Sequence, residues 1–96
     1  MIQIAHRGDS QQHGDNNLQS FRSAIEKKYE MIELDIQLCK TGEIVIFHDI
    51  FIKDDLVCNY TLDELINMNV EPLDAFLDMV NIRTIKVFFD LKGNEN

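Results

Sequence analysis

The chain has 96 residues, enough for one modest hydrophobic core and too few for two domains. Hydrophobic residues make up 45% of it and charged residues 27%, a balance typical of folded proteins rather than disordered ones. Seventeen acidic residues against nine basic ones give a formal net charge of -8, which disfavours nucleic acid and anionic membrane surfaces as partners. We therefore expect a single domain over residues 1–96 and no nucleic-acid partner.

The cysteines and the apolar runs bear on the cellular setting. Cys39 and Cys58 lack the close paired spacing of a zinc site or a redox motif. We recognise no secretory leader, and no apolar run approaches the roughly 20 residues needed to cross a bilayer. These features predict a cytoplasmic protein without stable membrane insertion, whose cysteines behave as small buried or half-buried apolar residues.

The N-terminal half of the sequence predicts a strand, a helix and a second strand. Residues 1–5 are typical of a short buried strand, with His6 at its end and a polar loop after it. Apolar residues then recur every three or four positions over 18–29, which is one face of an amphipathic helix, and a residue in 15–17 can cap it. From there the apolar period changes to two, which predicts a strand over 31–38.

The C-terminal half predicts two further strands and two helices. The apolar run 44–47 is short enough for a strand buried on both faces, and His48 closes it. A helix-capping pattern starts at Thr61, a second helical stretch covers 72–80, and residues 85–91 alternate as another strand. Strands alternating with helices predict an α/β fold with a mainly parallel sheet. Such folds place their sites at the carboxyl ends of the strands.

Acidic and histidine side chains fall toward those predicted strand ends. Glu33 and Asp35 are two apart on a strand, so both leave the same face, about 6 to 7 Å apart along the chain. A divalent cation that prefers oxygen ligands, Mg²⁺ or Ca²⁺, would hold both, and Asp90 can supply a third oxygen. The alternative is that this is the solvated face of an antiparallel strand. His6 and His48 favour the metal site, because an acid and a base across a metal suit phosphodiester hydrolysis.

Short motifs recur along nearly the whole chain, at 5–8 (AHRG), 15–21 (DNNLQSF), 32–38 (IELDIQL), 40–42 (KTG), 47–49 (FHD), 61–65 (TLDEL), 72–74 (PLD) and 89–92 (FDLK). In order and in spacing they resemble the motifs of the glycerophosphodiester phosphodiesterase family. The resemblance implies a parallel-strand, TIM-barrel-like fold of the PLC-like phosphodiesterase type. At this length it implies the N-terminal portion of the barrel, a partial barrel of about three βα units.

The resemblance also implies an activity and a role for each candidate residue. The activity is metal-dependent hydrolysis of small-molecule glycerophosphodiesters to a glycerol phosphate and an alcohol, with Mg²⁺ or Ca²⁺ as cofactor. The implied roles are His6 and His48 as catalytic acid and base, Arg7 and Lys92 as contacts to the substrate phosphate, Glu33, Asp35 and Asp90 as metal ligands, and Asp15 and Asn16 as candidate neighbours of the metal site.

Three departures from the family pattern leave alternatives open. Asp15 and Asp90 stand where the family usually has Glu, Asn17 stands where it usually has Thr, and a complete barrel has about 250 residues. Three parallel strands cannot close, so we expect either a longer gene product or a homo-oligomer, or another chain, covering the open sheet edge. The alternative functions are a truncated, non-catalytic phosphate-binding or assembly subunit of the same family and a phospholipase of the sphingomyelinase D kind.

Overall fold

The computed structural model describes residues 4–8, 16–80 and 86–92. Within these residues, three helices and a 3-10 turn lie among seven strands, three of which are only two residues long. The strands are β1 (Ile4–His6), β2 (Met31–Leu38), β3 (Ile44–Ile46), β4 (Phe51–Ile52), β5 (Asp55–Leu56), β6 (Glu71–Pro72) and β7 (Lys86–Leu91). The helices are α1 (Leu18–Glu26), α2 (Leu62–Asn67) and α3 (Leu73–Val80), and the 3-10 turn is Val57–Asn59.

Strand β2 lies at the centre of the main sheet. Its first three residues pair in parallel with β1, and its residues from Met31 to Ile36 pair in parallel with β7. Because the same β2 residues have both partners, β1 and β7 lie on opposite edges of β2. Beyond the end of β1, the free edge of β2 pairs with β3 in the antiparallel sense, with Ile36 opposite Ile46. The centre of the sheet is therefore the parallel arrangement β1-β2-β7, in agreement with the mainly parallel sheet that the sequence predicts.

Helices α1 and α3 cover one face of this sheet. Asn17 caps α1, accepting a hydrogen bond from the Ser20 amide at 2.8 Å while its own amide donates to the Ser20 hydroxyl. The cap fixes the helix so that Phe21 meets Phe76 of α3 edge to face, with 4.9 Å between ring centroids. The buried cluster that results is made of Ala5, Phe21, Ala24, Ile32, Leu34, Ile46 and Phe76. The opposite face of β2 is left for polar side chains.

Two predicted elements differ from the structure. The run 44–47 is predicted to be a strand buried on both faces in a mainly parallel sheet, but Ile44 is exposed and β3 is antiparallel to β2. The connection from Leu38 to Ile44 is too short for a parallel crossover, which needs a dozen or more residues. Pro72 does not open a helix, since it pairs with Val45 as part of β6 and α3 begins at Leu73.

Of the remaining local predictions, some are confirmed, one is wrong and some lie outside the described residues. The capping box at Thr61 is confirmed, with reciprocal hydrogen bonds to Glu64. Cys39 is buried as expected, whereas Cys58 is exposed, because its 3-10 turn lies at the surface. Residues 1–3 and Ile85, predicted as parts of strands, lie outside the described residues. Among the helices that the structure describes, none is both long enough and apolar enough to cross a bilayer.

Both outer strands of the parallel sheet carry exposed apolar side chains. On β1, Ile4 is 52% exposed, and on β7 Phe88 and Leu91 are 56% and 51% exposed. Side chains of this kind are normally covered in a closed barrel or a larger sheet. Their exposure agrees with the expectation that three parallel strands leave open edges.

Gly8 allows the chain to turn tightly against the start of α1. Its φ is +82°, and a Cβ atom there would meet the Ser20 hydroxyl and lie 2.9 Å from Phe21 Cδ1. Gly42 has a similar φ of +92° and nothing within 4 Å of an added Cβ. The two glycines therefore share the backbone constraint and differ in the space around them.

We expect Gly8→Ala to lower the free energy of unfolding by about 2 to 4 kcal/mol, from the left-handed backbone together with overpacking. Gly42→Ala is the matched control and should cost about 1 to 2 kcal/mol from the backbone alone. Urea denaturation of both variants and the wild type measures the difference. Equal losses would contradict the close approach of Gly8 to α1.

Candidate active site

Three carboxylates converge on the polar face of the sheet. Glu33 and Asp35 project from β2, and Asp90 lies opposite Asp35 in the β2–β7 register. One carboxylate oxygen from each of the three lies within 4.8 Å of the others. Asp35 is 1% exposed and Glu33 is 7% exposed, so neither belongs to a solvated face. The antiparallel, solvated interpretation of these two residues is thus wrong.

Two basic side chains adjoin this cluster. Arg7 Nε lies 3.3 Å from Asp35 Oδ2. Lys92 Nζ lies 3.0 Å from Asp90 Oδ2 and 3.8 Å from Asp35 Oδ1. The hydrogen bond to Asp90 is the largest cause that raises the pKa of the Lys92 ammonium above its usual value. Lys92 therefore stays cationic throughout the neutral range, and Asp35 lies between two positive charges.

Backbone hydrogen bonds to β2 hold both cations in place. The Arg7 amide donates to the Glu33 carbonyl at 2.6 Å and to Glu33 Oε1 at 3.2 Å, just after β1 ends. The Lys92 amide donates to the Ile36 carbonyl at 2.7 Å, just after β7 ends. The two outer strands thus each end in a basic residue beside Asp35, on the same face of the central strand.

Asn16 supports Asp35 through two hydrogen bonds. Its Nδ2 donates to Asp35 Oδ2 at 3.0 Å, and its Oδ1 accepts from the Asp35 amide at 3.3 Å. The backbone of Asn16 is left-handed, with a φ of 53°, and its amide donates to the Arg7 carbonyl at 2.8 Å. Asn16, a candidate neighbour of the metal site by resemblance, is thus in direct contact with one member of the acid cluster.

His48 lies in the loop after β3, at the mouth of the same site. Its ring is 41% exposed, and its Nδ1 lies 2.6 Å from Asp49 Oδ1. One cavity of about 220 Å³ joins it to Arg7 and Asn16, and another of about 460 Å³ joins it to Lys92. It reaches this position from an antiparallel strand, not from the carboxyl end of a parallel one.

The other predicted site residues are described in part or not at all. The backbone of His6 ends β1 directly opposite Glu33, but its side chain lies outside what the structure describes. Asp15 lies outside the described residues altogether. Sequence reasoning overlooked Gln37, a buried residue on the same face of β2 as Glu33 and Asp35. The period-two pattern that singled out the two acids includes Gln37 and could have identified it.

The described elements define an α/β protein with parallel central strands, whose central strand carries an acid cluster and two adjoining cations on one face. Residues 6–93 match the model of the glycerophosphoryl diester phosphodiesterase family. The chain belongs to that family.

Individual relatives agree with this assignment. A glycerophosphodiester phosphodiesterase from Caldanaerobacter subterraneus subsp. tengcongensis is 39% identical over 97% of this chain and 41% of its own length. The crystal structure of a glycerophosphodiester phosphodiesterase from Thermotoga maritima matches 96% of this chain and 44% of its own, with a TM-score of 0.85 and 25% identity. A phosphodiesterase from Oleispira antarctica, solved with its product sn-glycerol-3-phosphate, matches 96% of this chain and 44% of its own, with a TM-score of 0.83 and 25% identity. The chain thus spans less than half the length of these relatives.

Asn16→Gly should reveal how much the contacts to Asp35 contribute to stability. Glycine tolerates the left-handed backbone but removes both hydrogen bonds, so we expect a loss of about 1 to 3 kcal/mol in the free energy of unfolding. Asn69→Gly is a matched control, since Asn69 is exposed and has a φ of 68°. We expect it to change stability by less than about 0.5 kcal/mol. Similar effects of the two substitutions in urea denaturation would refute a special role for Asn16.

Proposed function

We propose that this chain carries the catalytic centre of a metal-dependent phosphoric diester hydrolase acting on glycerophosphodiesters, giving a glycerol phosphate and an alcohol. The observation that carries the proposal is the convergence of Glu33, Asp35 and Asp90 beside Arg7 and Lys92. Membership of the family supports it, as does the glycerol phosphate bound by the Oleispira antarctica relative.

The acid cluster fits a hard divalent cation. Glu33, Asp35 and Asp90 offer only carboxylate oxygens, the ligand type that Mg²⁺ and Ca²⁺ prefer. Their negative charge is concentrated enough to draw Lys92 and Arg7 to within 4 Å. These three residues would hold the metal, Mg²⁺ or Ca²⁺, and Asn16 would orient Asp35. When bound, such an ion supplies Lewis acidity at the phosphate oxygens.

Arg7 and Lys92 serve as the phosphate-binding groups in this proposal. Both are cationic at neutral pH, and both line cavities that also contain His48. In this proposal the anionic group of the phosphodiester lies against these two side chains. A guanidinium and an ammonium bind phosphate through charge-assisted hydrogen bonds, which fixes the orientation of the diester relative to His48.

His48 and His6 act as the acid–base pair. The Asp49 carboxylate accepts a hydrogen bond from His48 Nδ1 at 2.6 Å, which keeps a proton on Nδ1 and leaves Nε2 as the nitrogen available for proton transfer. His48 therefore takes up or releases its proton at Nε2. His6 lies at the end of β1, opposite Glu33, and is assigned the complementary role on the basis of the family motif.

Divalent cations should stabilise the wild-type protein. An ion that binds only the folded state at 100 times its dissociation constant adds about 2.7 kcal/mol, or roughly 10 to 20 °C in Tm for a domain of this size. We expect thermal denaturation with Mg²⁺ or Ca²⁺ to show an increase in the wild type that Asp35→Asn abolishes. Asp78→Asn is the control, because Asp78 is exposed on α3. An increase of equal size in all three proteins would indicate nonspecific ion binding.

Hydrolysis of glycerophosphocholine tests the catalytic assignment. With Mg²⁺ or Ca²⁺ present, His48→Ala should lower kcat by at least about 100-fold, the usual contribution of a general acid or base. Asp63→Asn, an exposed substitution on α2, should leave kcat within about twofold of the wild type. Wild-type turnover no faster than that of His48→Ala would contradict the proposal.

The same preparations separate the alternative functions. Calorimetric uptake of glycerol phosphate without any hydrolysis would favour the non-catalytic phosphate-binding subunit. Turnover of sphingomyelin or lysophospholipids in preference to glycerophosphocholine would favour a phospholipase of the sphingomyelinase D kind.

A further inference from the structure

Gln37 connects the central strand to the loop that carries His48. It lies on β2 two residues after Asp35, on the same face, and is only 3% exposed. Its Nε2 donates to the Phe47 carbonyl at 2.9 Å and to the Asp49 carbonyl at 2.8 Å. These two carbonyls flank His48 in sequence. Both protons of a single side-chain amide are thus used on the two residues adjacent to one histidine.

This pair of hydrogen bonds is what ties the middle of the loop to β2. The Phe47 amide donates to the Asp35 carbonyl at 3.0 Å, which fixes the residue before His48. The Ile50 carbonyl accepts from the Val57 amide at 2.8 Å, which ties the far end of the loop to the 3-10 turn. Between these points the backbone of Asp49 is held by Gln37. Moving the loop would break these hydrogen bonds and leave the buried amide and the two carbonyls unpaired, which costs free energy.

We propose that Gln37 is a positioning residue for His48. The inference rests on the proposed function, in which His48 Nε2 moves a proton. Proton transfer requires the imidazole to be within hydrogen-bond reach of the reacting oxygen, and a displacement of about 1 Å is enough to cost about 100-fold in rate. By holding the carbonyls on both sides of His48, Gln37 fixes the distance of the imidazole from Arg7, Lys92 and the acid cluster.

A kinetic comparison of two glutamine substitutions tests this role. Gln37→Met keeps the length of the side chain but removes its donors, whereas Gln19→Met makes the same change at an exposed position of α1. We expect Gln37→Met to lower kcat by about 10- to 100-fold with KM changed less than about threefold, since phosphate binding by Arg7 and Lys92 is preserved. Gln19→Met should change neither constant. An unchanged kcat in Gln37→Met, or a rise in KM alone, would overturn the proposal.

Amide hydrogen exchange tests the positioning without relying on activity. In Gln37→Met the Phe47 amide should exchange at least about tenfold faster, because the loop opens more often. The Cys39 amide, which bonds the Glu43 carbonyl in the preceding turn, should exchange as in the wild type. Unchanged exchange at Phe47, or equal acceleration at Cys39, would overturn the proposal. If the wild type hydrolyses no diester, the proposed function fails, and this measurement still decides whether Gln37 holds the loop.

A measurement on the wild type covers the case in which Gln37→Met does not fold. The two side-chain amide protons of Gln37 should exchange with solvent at least about tenfold more slowly than those of exposed Gln19, because both are buried and hydrogen-bonded. Equal exchange rates for the two glutamines would show that Gln37 does not hold the loop.

Discussion

The arrangement of the site depends on the ion pairs and hydrogen bonds made by the buried carboxylate of Asp35. A buried charge is costly unless it is paired and hydrogen-bonded. Asp35 meets this requirement through Arg7, Lys92 and Asn16, which come from three separate segments of the chain. The loop after β1, the residue before the α1 cap and the end of β7 are therefore constrained by one side chain on β2. Removing Arg7 or Lys92 leaves part of that charge uncompensated, and removing Asn16 takes away two hydrogen bonds.

The central strand can support this site because its two faces differ in character. Ile32 and Leu34 pack against the helices. The alternate residues Glu33, Asp35 and Gln37 lie on the opposite, polar face. Parallel pairing with β1 and β7 then brings further candidate site residues to the same polar face, since each outer strand ends beside β2. The antiparallel strand β3 adds His48 from the other direction. One strand thus has the hydrophobic core on one face and the candidate site on the other.

How much of this could be predicted from sequence depends on how local each feature is. The period-two pattern identified β2 and the acids, and the capping box at Thr61 was read correctly, because these signals lie within a few residues. The direction of β3 follows from the short connection after Leu38. The hydropathy pattern alone does not indicate that direction. The same pattern places Gln37 on the face of the acids, but its contacts could not be predicted, because its partners are backbone carbonyls 10 and 12 residues away and every residue has such a carbonyl.

Electrostatics bears on how the proposed phosphate site is compatible with an acidic chain. The net charge is -8, and at physiological ionic strength charges beyond about 8 Å are largely screened. Lys92 and Arg7, by contrast, lie at the cavities beside His48, where a phosphate group would meet them at hydrogen-bond distance. Coulomb interaction falls with distance, so two cations at about 3 to 4 Å outweigh distant carboxylates in the local field. The acids nearest to that position are the three that suit a divalent cation, which would turn the remaining local repulsion into attraction.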